Sequence, residues 1–112
     1  MSEHYILDEN KNAVPCGLLE WAAFFENNAN RRVAEDRFDG VYVSTVFLGL
    51  NHRFGYGEPL IFETMIFTEG EGILDDEYQE RCSTWAEALE MHAAAVRFAR
   101  RRLKAKQAEG RQ

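Results

Sequence analysis

The stretch "RRVAEDRFDGVYVSTVFLGL", residues 31–50, decides the fold because it has the pattern of two β-strands joined by a tight turn. Asp39-Gly40 is typical of primed two-residue hairpin turns, which need positive φ. The first arm, residues 31–38, is mostly polar, and we expect it to be an edge strand. The second arm, residues 41–50, is apolar on both alternating sets of side chains. This pattern predicts a central strand with both faces at least partly covered.

The segments that follow predict two further strands. Residues 60–67, "LIFETMIF", are the natural antiparallel neighbour of the central strand. Their one charged residue is Glu63, which we expect to face solvent or the rim of the sheet rather than to act in catalysis. After an acidic, glycine-bearing loop, residues 78–82 are predicted to form a short edge strand.

The segments before the hairpin predict two short strands and a helix. Residues 4–8 and 13–16 flank the polar turn "ENKN", whose asparagines tolerate unusual backbone angles. A helix fits residues 17–31 and should fail at the asparagines near its end. The residues expected on its buried face are Leu18, Trp21, Ala22 and Phe25.

The last element is a long amphipathic helix. Thr84 and Glu87 have the spacing of a capping box at its start, and we expect it to run to about residue 105. Apolar residues at helical spacing form one stripe. The members of the stripe are Trp85, Leu89, His92, Val96, Ala99 and Leu103.

Together these elements predict an α+β fold. We expect a small, mainly antiparallel sheet of four to five strands with two helices packed against it, in the order β-β-α-β-β-β-(β)-α. Residues 1–105 would form a single domain, and residues 106–112 a basic, frayed C-terminal tail.

Charge is unevenly distributed along the 112 residues, whose net charge is −6. Residues 1–96 carry six Lys or Arg against 18 Asp or Glu, which gives −12, and residues 97–112 carry seven against one, which gives +6. The acidic body disfavours general binding to nucleic acid and favours basic protein surfaces. The basic residues either complement the helix dipole or contact phosphates. The candidate nucleic-acid residues are Arg97, Arg100, Arg101, Arg102, Lys104 and Lys106.

Targeting and cysteine patterns predict a cytoplasmic protein. The N-terminal residues lack the pattern of a secretion signal, and no apolar run approaches the roughly 20 residues of a membrane span. Cys16 and Cys82 are far apart and outside any CxxC pair, and two free thiols are favoured over a disulfide.

Signatures of catalysis are weak, and we expect no cofactor, no metal and no catalytic residue. The glycines of "FGYGEP" lie between strands, where no helix N-terminus follows to receive a phosphate. The histidines are not spaced as a metal-binding set. We expect His92 to be a half-buried residue bonded to backbone or to a carboxylate rather than a general base. An alternative is a small enzyme or metal site that uses His52 with Cys82 or Glu63.

The loop "NHRFGYGEP", residues 51–59, is longer than a hairpin connection requires. It carries residue types that are over-represented in interface hot spots. Two interpretations stay open. Either Phe54 and Tyr56 are presented to a partner, or they fold back over the open end of the sheet. The candidate protein-binding residues are His52, Arg53, Phe54, Tyr56 and Glu58.

Three segments, "HYILDENKNAVPC", "VSTVFLGLNHRFGYGEPLIFETMIF" and "YQERCSTWAEALEMH", occur in an order that resembles a family of small proteins carried by tailed bacteriophages and prophages. The resemblance covers residues 4–96 and implies a bacterial host cell, but no activity and no catalytic residues. We therefore interpret the chain as a protein-binding module, acting on a host or phage protein through residues 51–59 and the acidic residues 69–80. A homodimer formed through an edge strand or the last helix is a further alternative.

Overall fold

The chain has an α+β fold, as the sequence predicts. A computed structural model describes residues 3–27, 31–70 and 78–110. Its elements are β1 (His4–Leu7), β2 (Ala13–Cys16), α1 (Leu18–Asn27), β3 (Arg32–Phe38), β4 (Val41–Phe47), β5 (Phe62–Thr68), β6 (Tyr78–Cys82) and α2 (Trp85–Glu109).

The main sheet is antiparallel with the order β3-β4-β5-β6, so β3 and β6 are its edges. The hairpin between β3 and β4 turns at Asp39 and Gly40, whose φ angles are 46° and 79°. Both are positive, as the primed turn predicted at this dipeptide requires. β1 and β2 form a separate two-stranded sheet, and the segment after β4 joins it to the main sheet. Leu50 forms a bridge with His4, and the Tyr5 N–H donates to the Gly49 carbonyl.

The core lies between one face of the main sheet and α2. Alternate residues of β4, beginning at Val41, are buried on this face, and their cross-strand partners on β5 continue the layer. Among the described residues, the cover of the other face comes from its own side chains. There the guanidinium carbon of Arg37 lies 3.8 Å from the ring centre of Tyr42, and Tyr42 stacks on Phe67 at 5.9 Å. The predicted partial cover of both faces of β4 therefore comes from α2 on one side and from neighbouring side chains on the other.

The turn between β1 and β2 differs from the sequence-based expectation in one respect. Asp8 Oδ1 accepts hydrogen bonds from the N–H groups of Asn10 (2.8 Å) and Asn12 (2.9 Å). The bonds from Asn12 and Asn10 also lower the pKa of Asp8. The residue with positive φ is Lys11, at 66°, rather than one of the asparagines. The asparagines contribute their backbone N–H groups to the turn instead.

The predicted buried side of α1 is right at Trp21 and Phe25 and wrong at Leu18 and Ala22. Leu18 is 60% exposed and Ala22 is exposed, while Trp21, Phe24 and Phe25 are half-buried. The reason is that α1 packs through these three aromatic rings alone. Phe24 and Phe25 both contact Phe47 with ring centres 6.1 Å apart. Leu18 and Ala22 lie on the adjoining arc of the helix, which no described residue covers.

α2 packs on the sheet through small residues. Ala88, His92, Ala95 and Ala99 are buried, whereas Leu89, predicted in the buried stripe, is 46% exposed. The alanines bring the helix backbone close to β4 and β5, and this close approach rotates Leu89 to the edge of the contact. The helix ends at Glu109, beyond the predicted end near residue 105.

The capping box predicted at the start of α2 is confirmed, and it makes a measurable contribution. The Glu87 N–H donates to Thr84 Oγ1 at 3.1 Å, and the Thr84 N–H donates to Glu87 Oε1 at 3.0 Å. Replacing Thr84 by Ala should lower the free energy of unfolding by about 1 kcal/mol, because the first helical turn loses its acceptor. Urea unfolding measures this change. A Thr84→Ser variant, which keeps the hydroxyl, should stay near wild type, and equal losses in both variants would contradict the assignment.

Candidate functional site

The 51–59 loop is fastened at its base by Asn51. The Asn51 Oδ1 atom accepts hydrogen bonds from the N–H groups of Arg53 and Leu60, both at 3.0 Å. The His52 N–H donates to the Leu60 carbonyl at 3.0 Å, and the Leu48 N–H donates to the Ile61 carbonyl at 2.7 Å. One amide side chain thus holds both ends of the loop together and continues the pairing that β4 and β5 begin.

Arg53 braces the inside of the loop. Its Nε–H donates to the Glu58 carbonyl oxygen, and its side chain lies so close to Gly57 that an added Cβ there would be 3.0 Å from the Arg53 Cδ atom. Gly57 also has a φ of 133°, a conformation that side-chain-bearing residues rarely adopt. Arg53 is therefore occupied within the loop, although the sequence suggested it as a contact residue. Its role is to fix the shape of the segment.

The tip of the loop presents two aromatic rings to solvent. Phe54 is 101% exposed and Tyr56 is 94% exposed, and Gly55 between them has a φ of 78°. Of the two interpretations left open by the sequence, the structure has the rings exposed rather than folded over the sheet. Two fully exposed aromatic rings on a braced loop are unusual in a small protein, because exposed apolar area favours association.

His52 and Glu58 are also exposed. Within the described ranges, no hydrogen bond or ion pair engages the imidazole of His52. The Glu63 carboxylate is bonded elsewhere, to Arg81 Nε at 2.9 Å and to Gln79 Nε2 at 2.8 Å. Glu63 lies on the open face of the sheet but is largely covered by these partners. The alternative of a metal site has no geometric support here, since no cluster of three metal-ligating side chains occurs among the described residues.

A buried polar network links α2 to the sheet. His92 Nε2 lies 2.7 Å from Asp36 Oδ2, and His92 Nδ1 lies 2.7 Å from Thr45 Oγ1. Thr45 is bonded in turn to Thr64 on β5. A carboxylate accepts only, so Nε2–H donates to Asp36, and Nδ1 is left to accept a hydrogen bond from the Thr45 hydroxyl.

This chain of groups resembles an activated hydroxyl nucleophile, but its burial argues for a structural role. Both threonines are completely buried and His92 is 6% exposed, so a substrate has no path to the Thr45 oxygen. The prediction that His92 bonds a carboxylate is confirmed, and the ring is more deeply buried than expected. The sequence pattern did not reveal this network, since Asp36, Thr45 and Thr64 lie on three different strands.

The two cysteines are free, as the sequence favoured. Burial, together with the nearby Glu87 carboxylate, raises the pKa of Cys82 to about 11. Burial and Glu20 also raise the pKa of Cys16. Both thiols are therefore poor nucleophiles near neutral pH.

The raised pKa of Cys82 predicts slow alkylation. With Cys16 replaced by Ser, iodoacetamide should modify native Cys82 roughly 100-fold more slowly than the urea-unfolded chain near pH 8, because the native thiolate fraction is smaller. Folding raises the pKa of Cys82, so ionisation of this thiol is less favourable in the folded state than in the unfolded state. Its contribution to the free energy of unfolding is therefore present in full at pH values below the unfolded-state pKa, and it is lost as the pH rises toward 11. Equal alkylation rates in native and unfolded protein would contradict the assignment.

The candidate nucleic-acid residues lie along the second half of α2, and some of them contact other side chains of the chain. The Arg100 guanidinium carbon lies 4.2 Å from the ring centre of Phe38, and Lys106 Nζ lies 4.0 Å from Glu109 Oε2. Arg102 is half-buried and has a partner. The fully exposed remainder consists of Arg97, Arg101 and Lys104.

Comparison of the chain with protein families, with curated proteins and with solved structures finds no match. The resemblance to proteins of tailed phages therefore stays a prediction from the sequence. Among the described helices, none is both long and apolar enough to cross a membrane. Residues 71–77 of the predicted acidic contact segment lie outside the described residues.

Proposed function

We propose that the protein is a protein-binding module whose main contact surface is the tip of the 51–59 loop. The observation that carries this proposal is the full exposure of Phe54 and Tyr56 on a segment whose base is fastened by Asn51 and Arg53. Aromatic side chains with few rotatable bonds lose little entropy on binding, and they dominate the energetics of many interfaces. A braced loop adds to this advantage because its backbone is already ordered.

The convex shape of the loop and the charge of the body favour a particular type of partner. An exposed aromatic tip fits a concave, apolar pocket on another protein. The acidic body favours a partner with a basic rim around that pocket, through long-range attraction. If the resemblance to phage proteins is right, a host or phage protein in the bacterial cytoplasm meets this description.

Nucleic-acid contact and enzymatic activity are less well supported by the same structure. Three of the six candidate basic residues of α2 have partners within the chain, and the acidic body repels a phosphate backbone. His52 lacks a carboxylate partner among the described residues, and the buried Thr45 is out of reach of a substrate. A binding function that uses the exposed rings accounts for more of the structure.

The proposal predicts a separation of binding from stability. The double variant Phe54→Ala/Tyr56→Ala should lose the protein captured by tagged wild-type chain from phage-infected or lysogenic cells. Its free energy of unfolding should change by less than about 0.5 kcal/mol, since the two rings make no buried contact. The measurements are an affinity pull-down read by mass spectrometry and a urea unfolding curve.

The matched control is Phe67→Ala, which removes an exposed aromatic ring from the open face of the sheet. This variant should capture the partner as wild type does. Capture that survives loss of both loop rings would contradict the proposal, and so would equal loss of capture in the Phe67 variant.

A further inference from the structure

The solvent-facing side of α2 separates its charges by sign. Glu87 and Glu90 lie in its first two turns, and basic side chains follow only from Arg97 onward. Between Glu90 and Arg97 the sequence has no Asp, Glu, Lys or Arg. We call this side the outward face of α2. Its exposed members are Ala86, Glu90, Ala93, Arg97, Arg101 and Lys104.

This arrangement is unfavourable for a helix that only faces water. Solvated helices gain stability from opposite charges three or four residues apart. Here the residue four positions after Glu90 is Ala94, and the residue four positions after Arg97 is Arg101, a like charge. In the described part of the chain, no ion pair engages Glu90, Arg97 or Arg101.

The helix dipole does not account for the pattern either. Its effect on charged side chains is confined to the first and last turns. Arg97 and Arg101 lie at least two turns before the end of α2 at Glu109. Glu90 likewise lies beyond the first turn, and it takes no part in the capping box that occupies Glu87. Neither helix pairing nor the helix dipole therefore accounts for the separated charges among the described residues.

We propose that the outward face of α2 binds the same face of a second copy in antiparallel orientation. A register that sets Ala93 of one copy opposite Arg97 of the other places Arg101 one residue, about 1.5 Å along the axis, from the level of Glu90, which is within reach of a salt bridge. Two-fold symmetry repeats each contact, so the pairing is closed and stops at a dimer. Ala86 and Ala93 permit close approach of the helices, and the aliphatic stem of Arg97 covers the alanine opposite it.

Charge complementarity selects this partner over others. Antiparallel pairing lays the acidic half of each helix on the basic half of the other, whereas parallel pairing would oppose like charges. A nucleic acid on the same face would meet Glu90 and the acidic body. A second copy also covers part of Leu89, a half-exposed apolar side chain at the margin of this face.

The test is a charge swap followed by sedimentation equilibrium at low salt. Wild type should show a monomer–dimer equilibrium that shifts toward monomer as salt is added. Glu90→Arg and Arg101→Glu should each weaken the dimer about ten-fold or more, because each symmetric pair turns from attraction to repulsion. The double variant Glu90→Arg/Arg101→Glu restores opposite signs across the interface and should recover the dimer. Glu9→Arg changes an exposed charge by the same amount in the β1–β2 turn and should leave the dimer intact.

Each other outcome overturns the proposal. The proposal is wrong if wild type is monomeric at millimolar concentration. It is also wrong if the double variant fails to restore the association that the single variants lose. Binding of a single-stranded oligonucleotide that Arg101→Glu abolishes, in a chain that stays monomeric, would assign the face to nucleic acid instead. These results are independent of the 51–59 loop, because the variants change no residue of that loop.

Discussion

Replacing Gly49 by Ala should lower the free energy of unfolding by about 3–5 kcal/mol, because strain and overpacking act at the same position. Gly49 has a φ of 73°, and its carbonyl accepts a hydrogen bond from the Tyr5 N–H at 2.8 Å. A Cβ added there would be 2.4 Å from Phe25 Cζ and 2.8 Å from Trp21 Nε1. The aromatic rings of α1 therefore lie directly on the backbone that joins the two sheets, and a methyl group would separate them.

Chemical denaturation of the Gly49→Ala variant measures this loss. Gly17→Ala is the matched control, since an added Cβ at Gly17 meets no atom within 4 Å. The control should stay within about 0.5 kcal/mol of wild type. A Gly49→Ala variant as stable as the control would show that α1 is not seated on this segment, and it would remove the packing argument for the N-terminal part of the fold.

Replacing His92 by Ala should cost about 2–4 kcal/mol, because the change leaves a cavity and removes one of the two hydrogen-bond partners of the buried Thr45 hydroxyl. Asp36 also loses the ring nitrogen bonded to it, although its half-exposed carboxylate can turn to water. Leu89→Ala on the same helix is the control, and it should cost less than about 1 kcal/mol, since that side chain is half-exposed.

The polar network makes a second result expected. Replacing Thr45, Thr64 and His92 together by Val, Val and Leu should recover much of the stability that His92→Ala loses, because no buried polar group is then left without a partner. Urea midpoints of the two variants and wild type measure the difference. We infer that the network contributes to stability mainly because each buried polar group has a hydrogen-bond partner. A triple variant less stable than His92→Ala would contradict this inference.

Much of the fold could be predicted from local sequence signals. Asp39-Gly40 defined the hairpin because few dipeptides adopt positive φ twice in succession, and Thr84 with Glu87 marked the start of α2. The alternation along β4 identified the central strand. These signals depend on residues close together in the chain, and short-range sterics and hydrogen bonding determine them.

The errors concern contacts between distant segments. Periodicity placed Leu18, Ala22 and Leu89 in buried stripes, but the rotation of a helix about its axis depends on the shape of the surface that receives it. The rings of Phe24 and Phe25 pack on Phe47, and this contact determines which side of α1 faces the core. The buried alanines of α2 determine which side of α2 faces the sheet. The polar network around His92 was missed for the same reason, because its other members lie on three strands and share no sequence pattern.

The candidate site was likewise predictable from local sequence features but not from contacts between distant residues. The loop was identified from its length and its aromatic content, both visible in the sequence. Whether Phe54 and Tyr56 point outward depends on Asn51 and Arg53, whose hydrogen bonds determine the course of the backbone. Arg53 was predicted as a contact residue because of its type, and the structure shows in addition that its Nε–H donates to the Glu58 carbonyl within the loop.

The most direct test of the binding function is calorimetric titration of the captured partner with wild type and with Phe54→Ala, Tyr56→Ala and Phe67→Ala variants. The account predicts that each loop variant weakens the affinity by about 30-fold, corresponding to roughly 2 kcal/mol for a hot-spot aromatic side chain. It predicts no change for the Phe67 variant. Loop variants that bind as tightly as wild type would contradict the central claim and direct attention to the exposed faces of α1 and α2.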